Sequence, residues 1–258
     1  ARRQRQMCIR DRDMHIAIVG GKRVRIRLAD DLREERSHSV SLSADLYHTF
    51  GKVQTNLLVE GFYTILDDVF ALRDMDDAAD GGKVKERYNG SGATVRGFNV
   101  EGRAAFTRWF ELQAGVTLQQ SRYKEPEFWS EDAEVPPVRR MFRTPDAYGY
   151  FTASFKPVRN FTADLSGTCT GSMLVQHMAG SGVAQDVAVS TPSFFDMNIR
   201  LSYDVRIYKE ITMQLYGGVQ NLFNAYQKDF DKGVDRDSGY IYGPSLPRSW
   251  FVGAKFSF

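Results

Sequence analysis

The chain has 258 residues, 42% of them hydrophobic and 13% aromatic, with a mean hydropathy of −0.40. No apolar run reaches the roughly 18 residues of a spanning helix, which says nothing of strands that cross a membrane. The balance of 34 basic against 32 acidic residues, net +2, gives no argument for nucleic-acid binding.

The first segment, Ala1 to Arg12 (ARRQRQMCIRDR), carries five Arg and no apolar stretch or cleavage site, so it is not a signal peptide. Its end, Met7-Cys8-Ile9-Arg10-Asp11-Arg12, reads like translated adapter sequence, and residues 1–12 are expected to be non-native. Without them the chain has 29 basic and 31 acidic residues, net −2. Cys169 is then the sole cysteine; it cannot form an internal disulfide and reads as a small hydrophobe on a strand.

From residue 36 onward a period of two dominates. Val40, Leu42, Ala44 and Leu46 alternate with Ser39, Ser41, Ser43 and Asp45. Phe110, Leu112, Ala114, Val116 and Leu118 alternate with Glu111, Gln113, Thr117 and Gln119. Phe161 to Thr170 and Ile211 to Gln220 repeat the pattern. In 193–207, Phe195, Met197, Ile199, Leu201, Tyr203 and Val205 alternate with Asp196, Asn198, Arg200, Ser202, Asp204 and Arg206. The last segment puts Trp250, Val252, Ala254, Phe256 and Phe258 on one face. Nine strands are predicted, at 36–49, 52–66, 92–107, 109–122, 145–156, 160–174, 193–207, 210–223 and 247–258. Parity sends Asp45, Glu60, Arg96, Glu101, Arg103, Glu111, Asp164, Asp196, Arg200, Asp204 and Arg206 to the polar face.

The connections alternate short and long. Phe50-Gly51, Arg108, Pro157-Val158-Arg159 and Tyr208-Lys209 are tight turns, whereas 67–91, 123–144, 175–192 and 224–246 are long and polar. A sandwich has no reason to collect its long loops at one end; a membrane barrel, with short periplasmic turns and long external loops, does. Strands of this length also exceed the usual mode and suit a tilted span. The fold expected is all-β: an antiparallel up-and-down meander from a transmembrane barrel. Nine strands starting from an outside loop do not complete a bacterial barrel, whose strand number is even. The chain therefore reads as the C-terminal piece of a larger one.

Asn221-Leu222-Phe223-Asn224-Ala225-Tyr226, then Pro247-Arg248 and the terminal Phe258, resemble the C-terminal signature of TonB-dependent receptors of Bacteroidetes type. Asn89 to Gly97 with Glu101-Gly102 is similar to a strand of that family, and Leu32-Arg33-Glu34-Glu35-Arg36-Ser37 to another of its motifs, with Glu34 in place of Pro. The resemblance covers residues 13–258. It implies a 22-stranded, plugged barrel of which these strands are the last nine or so, in a Gram-negative outer membrane, with the plug domain not included. It implies energy-coupled uptake of a scarce large nutrient such as a siderophore, cobalamin or glycan. Expected partners are membrane lipid, the receptor's own N-terminal plug, a TonB-type energy-coupling protein and the barrel assembly machinery, which would read Phe256 and Phe258. The external loops would contact ligand.

No enzyme motif stands out. His15, His38, His48 and His177 show no triad spacing, and phosphate loops, CxxC and HExxH are missing. No cofactor is implied. His177 lies near Met173 and Met178 in an external loop, where haem or metal contact competes with a solvated role. Asp229, Asp231, Asp235 and Asp237 alternate around Gly233; such oxygen ligands suit Ca²⁺, against the alternative of a solvated loop neutralised by Lys232 and Arg236. Two rivals to the receptor share its alternation: a passive porin-like barrel and a soluble all-β binding module.

Overall fold

The computed structural model describes residues 3–5, 15–19, 22–75, 83–130, 132–180, 182–208, 211–234, 236–237, 239–244 and 246–257. Among these there is no helix, and seventeen strands: β1 (Arg3–Arg5), β2 (His15–Val19), β3 (Lys22–Leu28), β4 (Arg36–Phe50), β5 (Val53–Asp67), β6 (Phe70–Met75), β7 (Lys83–Asn89), β8 (Ala93–Thr107), β9 (Phe110–Glu127), β10 (Val138–Arg140), β11 (Ala147–Val158), β12 (Phe161–Thr170), β13 (Leu174–His177), β14 (Val187–Ser190), β15 (Phe194–Tyr208), β16 (Ile211–Gln220) and β17 (Ser249–Ser257). The nine long strands run β4-β5-β8-β9-β11-β12-β15-β16-β17, each antiparallel to the next. This is the meander the sequence predicts. β1 lies against the outer edge of β4, and β10 against the end of β9.

Register carries the two-faced pattern across the whole sheet. Leu46, Leu57, Gly102, Ala114, Phe151, Gly167 and Met197 pair in one row. Leu112, Ala153, Leu165, Ile199, Val219 and Trp250 form the next. On the opposite parity run Ser43, Glu60, Asn99, Thr117, Tyr148, Thr170 and Phe194, and Glu111, Ser154, Asp164, Arg200, Gly218 and Phe251. A slip of one residue in any strand would break these rows, since each side chain would change face. Met197, Ile199 and Leu201 thus share the apolar face, and Asp196, Arg200 and Asp204 the polar one. Cys169, free and exposed, sits in an apolar row between Gly149 and Phe195.

Among the described residues none covers the apolar face. Leu42 is 81% exposed, Trp250 77% and Val252 90%. From the row of Val40 to that of Phe50 there are five two-residue steps, about 34 Å along the strand. At a tilt near 40° this stands roughly 26 Å tall, the height of a barrel's lipid band. Aromatic rings fill the gaps that glycines leave on both faces: Phe98 over Gly61, Phe151 over Gly167, Tyr150 over Gly115 and Tyr216 over Gly253.

The short turns gather at one end, where Trp109 packs edge-on against Phe155 with centroids 5.5 Å apart and Phe106 meets Phe110 at 5.3 Å. The long connections gather at the other end, and here the structure differs from the sequence reading. The stretch 67–91 is not a plain polar loop: β6 and β7 pair antiparallel, and β7 runs parallel to β3 beside β2, giving a four-stranded sheet. The stretch 175–192 closes into the β13–β14 hairpin. Two predicted strands also end early. β12 stops at Thr170; the Gly171 amide adds one further bond, to the Ala147 carbonyl at 2.8 Å, at a place where a side chain would collide with that oxygen. β16 stops at Gln220 because Asn221 adopts φ 49°. β9 runs on to Glu127, beyond its predicted end.

Candidate functional site

The long-loop end holds a buried apolar cluster of Val175, Phe194, Tyr240 and Tyr242, flanked by Met173, Val189 and Ala225. Three elements meet in it: the β13–β14 hairpin, the start of β15 and the returning arm of the connection 221–248. Tyr240 and Tyr242 both point their hydroxyls at one carboxylate, Tyr240 donating to Asp229 Oδ2 at 2.7 Å and Tyr242 to Asp229 Oδ1 at 2.6 Å. Gln227, fully buried, bridges the same arm by donating to the Tyr240 carbonyl at 3.1 Å and accepting from the Tyr242 amide at 2.8 Å.

His177 joins the hairpin to that arm. Its Nε2 lies 3.0 Å from both oxygens of Asp231, and its ring stacks on Tyr240 with centroids 3.7 Å apart and planes within 5°. His177 is 6% exposed. Asp231 also accepts the Asp237 amide at 3.0 Å, and Asp237 accepts the amides of Met178 at 2.9 Å and Gly239 at 2.7 Å. No side chain fits at Gly182, which abuts the Asp231 carboxylate. Arg143 donates to the carbonyls of Ile241, at 2.9 Å, and Gly239.

The electrostatics follow from these contacts. The Asp237 amide, helped by His177, holds the Asp231 carboxyl below the usual range against the cost of burial. At Asp229 burial works the other way and is the largest single influence. The hydroxyls of Tyr242 and Tyr240, with Gln227, together outweigh it and keep the carboxyl low. Burial first, then the hydrogen bond each gives to Asp229, raises both tyrosines, Tyr242 to about 12 and Tyr240 further.

The acidic run is therefore spent on internal bonds. Asp229 takes two tyrosines, Asp231 a histidine and an amide, Asp237 two amides; Asp235 lies outside the described residues. Among the described residues no three acidic, His or Cys side chains converge on one point. His177 likewise faces Asp231 and Tyr240, and Met173 belongs to the apolar cluster. The sequence reading missed Tyr240, Tyr242 and Gln227, whose partners lie 11 to 15 residues away across an irregular loop with no periodic signal.

The motif Asn221-Leu222-Phe223-Asn224 has a clear local job. Asn221 is 3% exposed and clamps both ends of the connection: its Oδ1 accepts the Ala225 amide at 2.8 Å, and its Nδ2 donates to the carbonyls of Ala225 and Leu246, both at 2.9 Å. Asn224, at φ 53°, accepts the Arg248 amide at 2.9 Å. Asparagine suits both places because it tolerates the left-handed region and brings a polar group back to the backbone. Pro247 and Arg248 then lead into β17. Leu222 starts the turn by donating its amide to Met197, and Phe223 packs its ring 5.9 Å from Phe195 on the apolar face. Phe256 occupies the last apolar row with Met213; Phe258 lies outside the described residues.

A second external feature is a cavity of about 430 Å³ walled by Phe70, Tyr123, Trp129, Phe142, Gln176 and Glu127. Burial raises the Glu127 carboxyl above its ordinary range. The Trp129 Nε1 is buried without a hydrogen-bond partner.

On the polar face the predicted charges interlock across strands. Asn99 donates to Glu60 at 2.9 Å, Gln113 to Glu101 at 2.7 Å, Ser154 to Asp164 at 2.6 Å and Gln214 to Asp204 at 2.9 Å. Asn56 donates to Asp45, Arg103 pairs with Glu111 at 2.5 Å, and Arg200 lies over the Tyr216 ring at 4.6 Å. Arg206 follows the same parity, and Asp196 keeps one buried oxygen unpaired. Arg96 is a correction. It pairs with Tyr63 on one side and Gln120 on the other, in a row of the apolar face near its long-loop end, and donates to Gln120 at 2.8 Å. Its parity is that of Phe98 and Val100, opposite to Glu101 and Arg103.

Comparison with solved structures finds the same architecture. The ferric-catecholate import receptor Fiu of E. coli K12 superposes with a TM-score of 0.59 at 16% identity, over 94% of this chain and 29% of that one. A variant of the ferric enterobactin receptor PfeA of Pseudomonas aeruginosa gives 0.58 at 15%, over 90% and 32%. The copper transporter OprC gives 0.58 at 14%, over 89% and 32%. The chain thus spans about a third of the length of these proteins. No curated protein sequence matches it. Residues 16–222 match the family described as TonB dependent receptor-like, beta-barrel. Taken with the two-faced meander, that match places this chain in the TonB-dependent receptor β-barrel family.

Proposed function

We propose that this chain forms part of the barrel wall and external loops of a Gram-negative outer-membrane receptor that imports a scarce, large nutrient. Energy would come through a TonB-type periplasmic partner, engaged by a region outside this chain, and residues 13–258 would be the native barrel portion. The observation that carries the reading is the unbroken pair of faces across nine strands: one face needs lipid and the other is filled with hydrogen-bonded polar groups. Hydrocarbon requires every spanning backbone group to be paired, which a closed barrel satisfies.

In this reading the polar face meets the receptor's own plug, and Phe256 and Phe258 serve recognition by the barrel assembly machinery. The cavity around Trp129 and Glu127 and the surfaces of the external connections supply ligand contacts. The neighbours carry ferric siderophores or copper, which sets the kind of cargo to screen first. The test is uptake by cells expressing the full-length protein, with labelled ferric siderophores, cobalamin and oligosaccharides, before and after the proton gradient is collapsed. Accumulation that stops on collapse is expected. Equal accumulation in both conditions marks a passive pore and overturns the reading.

A further inference from the structure

The row that corrects the sequence reading also marks a place on the outward face. Arg96 and Arg122 both sit on the apolar parity of adjacent strands: Arg96 is opposite Gln120, and Arg122 opposite Thr94. They are therefore diagonal neighbours, about 7–8 Å apart at the backbone, within reach of one shared anion for side chains of this length. Both are exposed.

The surrounding charges leave these two cations over. Lys124 is paired with Asp67, Arg140 with Asp146 at 3.1 Å, and Arg36 with Glu34 at 3.2 Å. Among the described residues Arg96 has only the neutral Gln120 amide as a polar partner, and Arg122 has no carboxylate partner. Val40 and Tyr63 stand in the row of Arg96, and Leu42, Phe98 and Leu118 in the next row in the membrane direction; together they give an open, largely apolar trough, with Gln120 and Asp146 also on its lining. At the interface an exposed arginine pair is tolerated, because long side chains reach the headgroup layer, and there it attracts anionic headgroups.

We infer that this patch binds a phosphate-bearing membrane lipid of the outer leaflet, its phosphate held between the Arg96 and Arg122 guanidinium groups and an acyl chain lying along Leu42, Phe98 and Leu118. The inference rests on the outer-membrane placement proposed above. Guanidinium forks match phosphate oxygens in geometry as well as charge. Phosphate alone would leave the trough unused, so a lipid rather than the free ion is the occupant.

The experiment folds the full-length receptor into vesicles of phosphatidylcholine with or without phosphatidic acid, extracts it in mild detergent, and measures phosphatidic acid retained per protein. The wild type is expected to keep phosphatidic acid several-fold above its share of the vesicle. Arg96→Gln/Arg122→Gln should lose that excess, Phe98→Ala should reduce it, and Arg159→Gln, at the opposite end of the sheet, should leave it intact. Excess inorganic phosphate should displace little of it. Equal retention by the wild type and the double variant, or full displacement by inorganic phosphate, overturns the lipid site. Folding is read separately from the gel shift between unboiled and boiled samples. A normal shift with no lipid preference removes this inference alone, whereas a wild type that never shows the shift removes the outer-membrane reading and the lipid site with it.

Discussion

The sheet and its external clasp solve the same problem in opposite ways. In the wall, large apolar side chains such as Leu42 and Val252 stay exposed, and the polar face is pinned by neutral or half-exposed hydrogen bonds. In the clasp, the chain buries its own apolar cluster and closes it with hydrogen bonds of Asp229, Asp231, Gln227 and His177. The wall therefore takes its stability from an outside solvent, whereas the clasp behaves like a small soluble core grafted onto a membrane edge. Substitutions should separate the two.

The largest effect is expected in the wall. Leu165 and Ser166 are adjacent but face apart, Leu165 in the row of Ala153 and Ile199, Ser166 in that of Thr152 and Asn198. A lysine at a lipid-facing midplane position costs about 2–4 kcal/mol, and a lumen substitution far less. Leu165→Lys should lower the denaturant midpoint of the vesicle-folded receptor accordingly, while Ser166→Lys shifts it little. Equal losses for the two would mean that Leu165 does not face lipid.

In the clasp, His177→Ala removes the Asp231 partner and the stack on Tyr240 together. Leaving a buried acceptor short of its donor costs about 1–3 kcal/mol, and a lost ring stack adds about 0.5–1.5. The cost should fall on the loops and not on the barrel. Protease cleavage within 175–192 and 224–246 should accelerate while the gel shift of the folded barrel persists. His177→Phe keeps the stacking surface and should fall between the wild type and His177→Ala. Loss of the barrel itself in His177→Ala would erase the distinction between the two regions.

The clasp also carries its own pH window. Asp229 and Asp231 are depressed, so their contribution is present above the ordinary carboxylate range near 4 and is lost as pH falls through their lower folded values. Tyr242 is raised from 10.0 to about 12, so its contribution is whole below pH 10 and is lost between 10 and 12 as it ionises beside Asp229. Loop protection against hydrogen exchange, taken relative to the intrinsic rate at each pH, should thus be greatest between about pH 4 and 10 and fall on both sides. Tyr242→Phe should blunt the alkaline fall. An alkaline limb of unchanged size in that variant would assign it to other groups.

How much of this was legible in the sequence follows the same division. The nine wall strands could be read because period-two alternation is repeated along each of them, and register only propagates it. Arg96 was misplaced by a miscount of parity; counting from Phe98 and Val100 puts it on the outward face. The clasp was opaque for a different reason. Asp229 finds Tyr240 and Tyr242, and His177 finds Asp231, across irregular backbone, so no spacing announces them. Asn221 and Asn224 stood out through a family resemblance, but their role as clamps holding the connection shut at Ala225, Leu246 and Arg248 needed the geometry.

The smallest effect is expected from the most conspicuous ion pair of the wall. Arg103 and Glu111 approach to 2.5 Å, closer than His177 and Asp231 at 3.0 Å, and distance alone would rank the first pair as the stronger. Exposure reverses the order. The side chains of Arg103 and Glu111 are 58% and 42% exposed, against 8% and 4% for His177 and Asp231. Water on the polar face screens the wall pair, and holding two long side chains in one geometry costs entropy, so such pairs are worth about 0–1 kcal/mol. Arg103→Gln retains a donor that can still reach Glu111 and should shift the unfolding midpoint at the low end of that range. Raising the salt concentration should shrink even that shift, because exposed charges are screened and buried ones are not. The His177→Ala effect on loop cleavage should be nearly insensitive to salt. A large, salt-resistant loss from Arg103→Gln would show that the polar face is drier than its exposure implies and that wall and clasp draw on the same kind of interaction.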